Sequence, residues 1–197
     1  MADKIYLYPR WLRFWHILNA VLCLVLIISG FQMQYSAFAV MSLKIAVKLH
    51  NFSGIILSVN YLVFFVGNLI SGNYRYYKPD EKPMLENLKK QFIYYTIGIF
   101  KGVVKPFAIS KERKFNPLQK VSYLAAMYVL MPVVVVTGTL MLNPILIEKG
   151  KTFLIIDLLH ILAGFLISLF LVIHLYFSTI GAKSNYKAIS TGWHEED

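Results

Sequence analysis

Four histidines lie inside long hydrocarbon runs of this 197-residue chain: His16, His50, His160 and His174. A fifth, His194, sits in a polar tail. An imidazole inside lipid is costly unless something holds it, and the neutral ring is a common metal ligand. His160 and His174 are fourteen positions apart. In an α-helix that is an advance of ~21 Å and ~40° short of four full turns, so both rings share one face. They stand about two-thirds of the hydrocarbon thickness apart. One metal ion cannot bridge that gap, but two cofactors can, one in each half of the bilayer.

The elements that place these residues follow from composition. The chain is 57% hydrophobic and 15% charged, against ~25% charge in ordinary soluble domains. Residues 15–31, 45–70, 121–142 and 153–180 approach or exceed the ~20 apolar residues that cross a bilayer. The expectation is a single all-α membrane domain over 1–197, a four-helix up-down bundle. Of the 20 Lys and Arg residues, 16 fall in the N-terminus, the middle loop and the C-terminus, and 4 around the two short loops. Positive residues stay inside, which predicts an N-in/C-in, multi-pass protein of the bacterial cytoplasmic (inner) membrane, with lipid as a partner. The net charge of +10 is then a topology signal rather than a nucleic-acid footprint, because no compact basic domain stands apart from the spans. The N-terminal run ending in Ala37-Phe38-Ala39 has some features of a signal peptide. Its length and its Trp11, Trp15, His16 and Asn19 suit a retained span better. Cys23 alone excludes an internal disulfide, covalent CxxCH haem and an all-cysteine cluster.

Depth now pairs the histidines. Span 1 runs outward, placing His16 near the inner surface, and span 2 runs inward, placing His50 near the outer one. Span 4 also runs inward, with His160 outer and His174 inner. His16 matches His174, and His50 matches His160. Zinc takes three or four protein ligands, whereas each site here has two, on different helices. Two imidazoles complete a haem iron whose other ligands belong to the porphyrin, and helix bundles hold cofactors between facing helices. Two b haems are expected. Gly54 and Gly164, each four residues after a ligand, give clearance for a ring or close helix packing. Arg13, Lys44 and Lys48 could pair with propionates or serve as interface anchors. Asp157, one turn before His160, is the one acid within a predicted span. It suits a haem-side orienting role, a proton relay, or plain placement at the interface.

Two features of the remaining chain matter. Leu85, Leu88, Phe92 and Tyr95 recur at helical spacing beside Lys89 and Lys90, which suits a helix lying on the inner leaflet or a cytoplasmic docking surface. Pro132 predicts a kink in span 3.

RFWH in span 1, LHNFSG in span 2 and HILAGFLISLFLVIHLY in span 4, with KFNPLQK and the terminal ISTGWHEED, resemble the di-haem cytochrome b subunits of membrane-bound formate dehydrogenases, nickel–iron hydrogenases and thiosulfate reductases. The resemblance implies the same histidine pairs that depth gives. It also implies quinone near the inner haem, with Asn116, Gln119 and Lys120 as candidate contacts beside His174. Asn116 as helix cap with Pro117 in the first turn accounts for the same residues without quinone. The reading is an electron-transfer membrane subunit of an oxidoreductase complex. It would link a quinone pool to a partner at the outer, periplasmic face, an iron–sulfur or multihaem protein. The alternatives are a free-standing transmembrane haem oxidoreductase and a non-haem ion or proton transporter.

Overall fold

The computed structural model describes residues 4–35, 37, 40–79, 83–147, 150–179 and 185–195. Part of the Ala37-Phe38-Ala39 stretch lies outside them. Among the described residues, four helical segments are long and apolar enough to cross a membrane: Arg10–Gln34, Leu43–Ile70, Pro117–Leu142 and Lys151–Thr179. All four begin before the predicted spans, and the first also runs past its predicted end, because a helix continues past the hydrocarbon boundary into residues such as Arg10 and Trp11 that suit the interface. The protein is an all-α membrane protein with four spanning helices.

In chain order, strand β1 is Lys4–Tyr6, followed by α1 (Arg10–Gln34) and α2 (Leu43–Ile70). Helix α3 is Met84–Thr96. Span 3 is compound: α4 (Pro117–Leu124), a π-helical turn at Ala125–Leu130, and α5 (Met131–Leu142). Helix α6 is Lys151–Thr179, α7 is Asn185–Thr191 and strand β2 is Trp193–Glu195. The π turn ends just before Pro132, whose ring nitrogen cannot donate to a carbonyl one turn back. A wider turn at that point is one way a helix accommodates the missing bond.

The chain forms two compact units. One comprises Phe14–Gly67 and Val129–Leu169, holding His16, His50 and His160. Trp15 anchors α1 to α2 there: its indole N–H donates to the Asn60 carbonyl at 2.9 Å, and its ring stacks on the fully buried Phe64 at 4.3 Å. Gln32 ties down the short connection, its Oε1 accepting from the backbone N–H groups of Val40 and Met41. Side chains such as Phe14, Val59, Leu62 and Phe165 are exposed, as expected of surfaces whose solvent is lipid.

The other unit comprises Met1–Arg13, Asn68–Tyr128 and Phe170–Asp197. Here β1 pairs antiparallel with β2, Ile5 opposite His194, so the two ends of the chain clasp each other. Arg13 Nη2 donates to the Ser190 carbonyl of α7, reinforcing that clasp. Gly192 carries the bend at φ +91°, and a Cβ there would fall 2.7 Å from Tyr6. Helix α3 buries Gln91, Tyr94 and Tyr95 and exposes Leu85, Phe92 and Ile93. The apolar stripe read from sequence therefore splits: Tyr95 turns to the protein, and Leu85 and Phe92 turn away.

Candidate functional site

The outer-half site is built by four helical segments of one unit. His50 on α2 and His160 on α6 face one another with ring centres 6.1 Å apart and planes at 71°. Two imidazoles bound from opposite sides of one metal ion, each at ~2 Å, leave their ring centres ~6 Å apart. The separation therefore fits a six-coordinate iron that takes its other four ligands from a macrocycle. Both rings are half-buried.

The other two helices receive the imidazoles in a repeated way. On α1, Ser29 Oγ lies 3.0 Å from His50 Nδ1, and Gly30 follows it. On α5, Thr137 Oγ1 lies 2.8 Å from His160 Nδ1, and Gly138 follows it. A Cβ at Gly30 would meet His50 Cε1 at 3.3 Å, and one at Gly138 would meet His160 Cε1 at 3.1 Å. Glycine at these two positions lets each ring lie against the helix backbone. Ser29 is fully buried and Thr137 nearly so.

The candidate glycines Gly54 and Gly164 sit differently. Among the described residues, and apart from its own helix backbone, nothing lies within 4 Å of a Cβ placed on Gly164, and a Cβ on Gly54 meets Leu26 at 3.9 Å. Both leave open space four residues after a histidine. Lys44 and Lys48 are exposed at the start of α2, and Asp157 is partly exposed one turn before His160.

The inner-half candidates His16 and His174 belong to different units. His16 follows Trp15 on α1, their rings 6.4 Å apart edge to face. In the other unit, His174 stacks on Phe170 at 5.6 Å and meets the edge of Tyr123 at 5.8 Å. Arg13, a propionate candidate, is engaged with Ser190.

Asn116 caps α4. Its Oδ1 accepts from the Gln119 N–H at 2.9 Å, and Gln119 Oε1 accepts from the Asn116 N–H at 3.1 Å, a reciprocal box that satisfies two orphan donors. Asn116 Nδ2 also donates to the Tyr95 hydroxyl at 2.7 Å, and Tyr95 stacks on Phe177, one turn beyond His174, at 4.2 Å. Burial raises the Tyr95 pKa, with the Asn116 hydrogen bond opposing. Gln91, also hydrogen-bonded to Tyr95, is buried, and its Oε1 has no hydrogen-bond partner among the described residues. Lys120 is half-buried.

A buried polar chain accompanies this cluster. Lys114 Nζ donates to Asn73 Oδ1 at 3.1 Å, Asn73 Nδ2 to Asn68 Oδ1 at 2.8 Å, and Asn68 Nδ2 to the Tyr128 hydroxyl at 2.6 Å. The Lys114 ammonium also lies 4.0 Å from the centre of the Tyr76 ring, a cation–π contact. Burial lowers its pKa to about 8, and burial pushes Tyr8 up to about 12.

Sequence reading missed Ser29, Gly30, Thr137, Gly138, Tyr95, Gln91 and Lys114. The available signal was Ser-Gly in span 1 and Thr-Gly in span 3, small pairs in otherwise bulky runs.

A family model described as prokaryotic cytochrome b561 matches residues 7–191. The chain is also similar to the Escherichia coli (strain K12) protein named "Putative cytochrome YdhU", 32% identical over 198 aligned positions that cover 98% of this chain and 76% of that protein.

Proposed function

Because the chain belongs to the prokaryotic cytochrome b561 family, a family of transmembrane haem-based electron carriers, we propose that it conducts electrons through two b haems between membrane quinone and a redox partner at the outer face. His50 and His160 hold the outer haem, and His16 and His174 hold the inner one. The observation that carries this reading is the facing pair of imidazoles at 6.1 Å, a spacing that suits one iron between them. Bound haem supplies reversible one-electron chemistry. The protein sets its potential through ligands, hydrogen bonds and burial.

Quinone meets the inner side at the cluster around Asn116, with Gln119, Lys120 and the ligand His174 as neighbours. Tyr95 and Gln91 extend that candidate set. Gln91 Oε1 is a buried acceptor without a partner among the described residues, and a quinol hydroxyl would satisfy it. The outer partner carries the substrate chemistry, as an iron–sulfur or multihaem subunit.

The test is the purified chain from haem-replete membranes. We expect two haem b per chain, sharp alpha and beta bands on reduction, and reduction by a soluble quinol analogue. A colourless protein ends the reading, and one haem per chain removes the two-haem conduit.

A further inference from the structure

We propose that the hydroxyls of Ser29 and Thr137 are positioning groups for the outer haem, holding His50 and His160 in the Nδ1-protonated form with their planes crossed. This inference rests on the reading that these two histidines hold that haem.

Each hydroxyl carries a single hydrogen. Ser29 Oγ lies 2.6 Å from the Val25 carbonyl oxygen, and Thr137 Oγ1 lies 2.5 Å from that of Val133. Two oxygens approach so closely only with a proton between them, and a carbonyl has none to give. Each hydroxyl therefore donates to its own helix one turn back. Toward the imidazole it offers only a lone pair. Nδ1 at 3.0 Å and 2.8 Å must then bring the hydrogen. A neutral imidazole protonated at Nδ1 leaves the Nε2 lone pair free, and that lone pair is what an iron requires.

Rotation is restricted as well. Each ring is pinned at Nδ1 by the hydroxyl and laid against the adjacent glycine at Cε1, at 3.3 Å for a Cβ on Gly30 and 3.1 Å on Gly138. With the bond to Cβ as a third anchor, contacts at Nδ1 and Cε1 hold the plane of each ring, and the two planes cross at 71°. Hydrogen bonds behind a metal-bound histidine commonly set its orientation and basicity. The recurrence on two different helices, hydroxyl then glycine, makes the arrangement a matched pair.

Crossed axial imidazoles leave the two π-type d orbitals of a low-spin ferric iron nearly degenerate, which gives a strongly anisotropic EPR signal. Near-parallel planes split those orbitals and give an ordinary rhombic one. Ring orientation is therefore readable without any turnover assay. The experiment compares the parent chain with His160→Ala, Thr137→Val, Thr137→Ser and Ser29→Ala, recording haem per chain and low-temperature EPR. His160→Ala identifies the outer-haem signal by its loss. We expect Thr137→Val and Ser29→Ala to shift that signal toward lower anisotropy and leave the other haem's signal in place. Thr137→Ser, which keeps the hydroxyl, should restore the parental line shape. If Thr137→Val fails to retain haem, Thr137→Ser decides: parental loading and line shape support the proposal, and loss of the outer haem or a line shape shifted from the parent's overturns it. An unmoved signal in Thr137→Val at full haem loading also overturns it. Retention of every haem signal in His160→Ala would instead overturn the ligand assignment beneath it.

Discussion

At the residue scale, the outer site depends on what is absent from two positions. Gly138 sits so near His160 that a Cβ would lie 3.1 Å from Cε1, against 3.3 Å for Gly30 and His50. Both distances are tighter than ordinary contact, so any added side chain must displace a ligand ring. We expect Gly138→Val to lower outer-haem occupancy by at least half and Gly30→Ala to lower it less, measured as haem per chain. Gly164 provides the contrast, since no other part of the described residues beyond its own helix backbone lies within 4 Å of its added Cβ. If the porphyrin passes over that position, Gly164→Leu should also expel haem; unchanged loading would show that the ring runs elsewhere. These glycines and their hydroxyl neighbours were hard to read in sequence for a physical reason. Ser and Thr within membrane helices routinely bond back to the carbonyl one turn earlier, so a hydroxyl that also grips a ligand looks the same on the page. The histidines stood out because a ring so polar is rare at that depth.

At the scale of elements, the spans were readable because hydrocarbon length is a strong constraint, whereas their internal detail was not. Pro132 announced a disturbance in span 3. Hydropathy alone does not say that the helix widens over Ala125–Leu130 to absorb it. Asn116 was visible as a cap, but its second bond to Tyr95 depends on how α3 packs, and periodicity had assigned Tyr95 to the same apolar stripe as Leu85. In sequence Lys114 is one of the middle loop's basic residues and opens KFNPLQK, with nothing to mark it as buried, although it lies against Asn73 and Tyr76. Its folded pKa of about 8 lies below the usual 10.5 because burial penalises the ammonium. The unfolded chain holds that proton more firmly, so unfolding takes up a proton between the two values and stability rises with pH there. The buried tyrosines act in the opposite direction only above about 10, where an unfolded phenol ionises. We expect the melting temperature in detergent to climb between about pH 8 and 9.5. Lys114→Gln, which keeps a donor for Asn73 and cannot titrate, should flatten the rise. A parent protein with no such slope would show that Lys114 is solvated.

At the scale of the whole molecule, an even number of spans brings both ends to one side of the membrane, and the charge distribution names that side as the cytoplasm. The pairing of β1 with β2 is an independent sign of the same topology, because strands on opposite faces of a bilayer cannot pair. No periodicity forecast these strands: KIY and WHE are three residues each, too short for alternation to register. Cys23 is buried and is the chain's one cysteine, so labelling can report on introduced thiols. We expect Lys4→Cys and Trp193→Cys to react with a membrane-impermeant maleimide in inverted vesicles and to stay unlabelled in intact spheroplasts. Labelling of either from outside would reverse the topology.

The clasp also imposes an order in time. Tyr6 leaves the ribosome long before Trp193, the residue opposite it, exists. The first strand must therefore wait, unpaired, while every transmembrane segment is threaded into lipid. Its closure is among the last folding events available to the nascent protein, so protease resistance at the amino-terminal strand would mark molecules whose synthesis has run through Glu195.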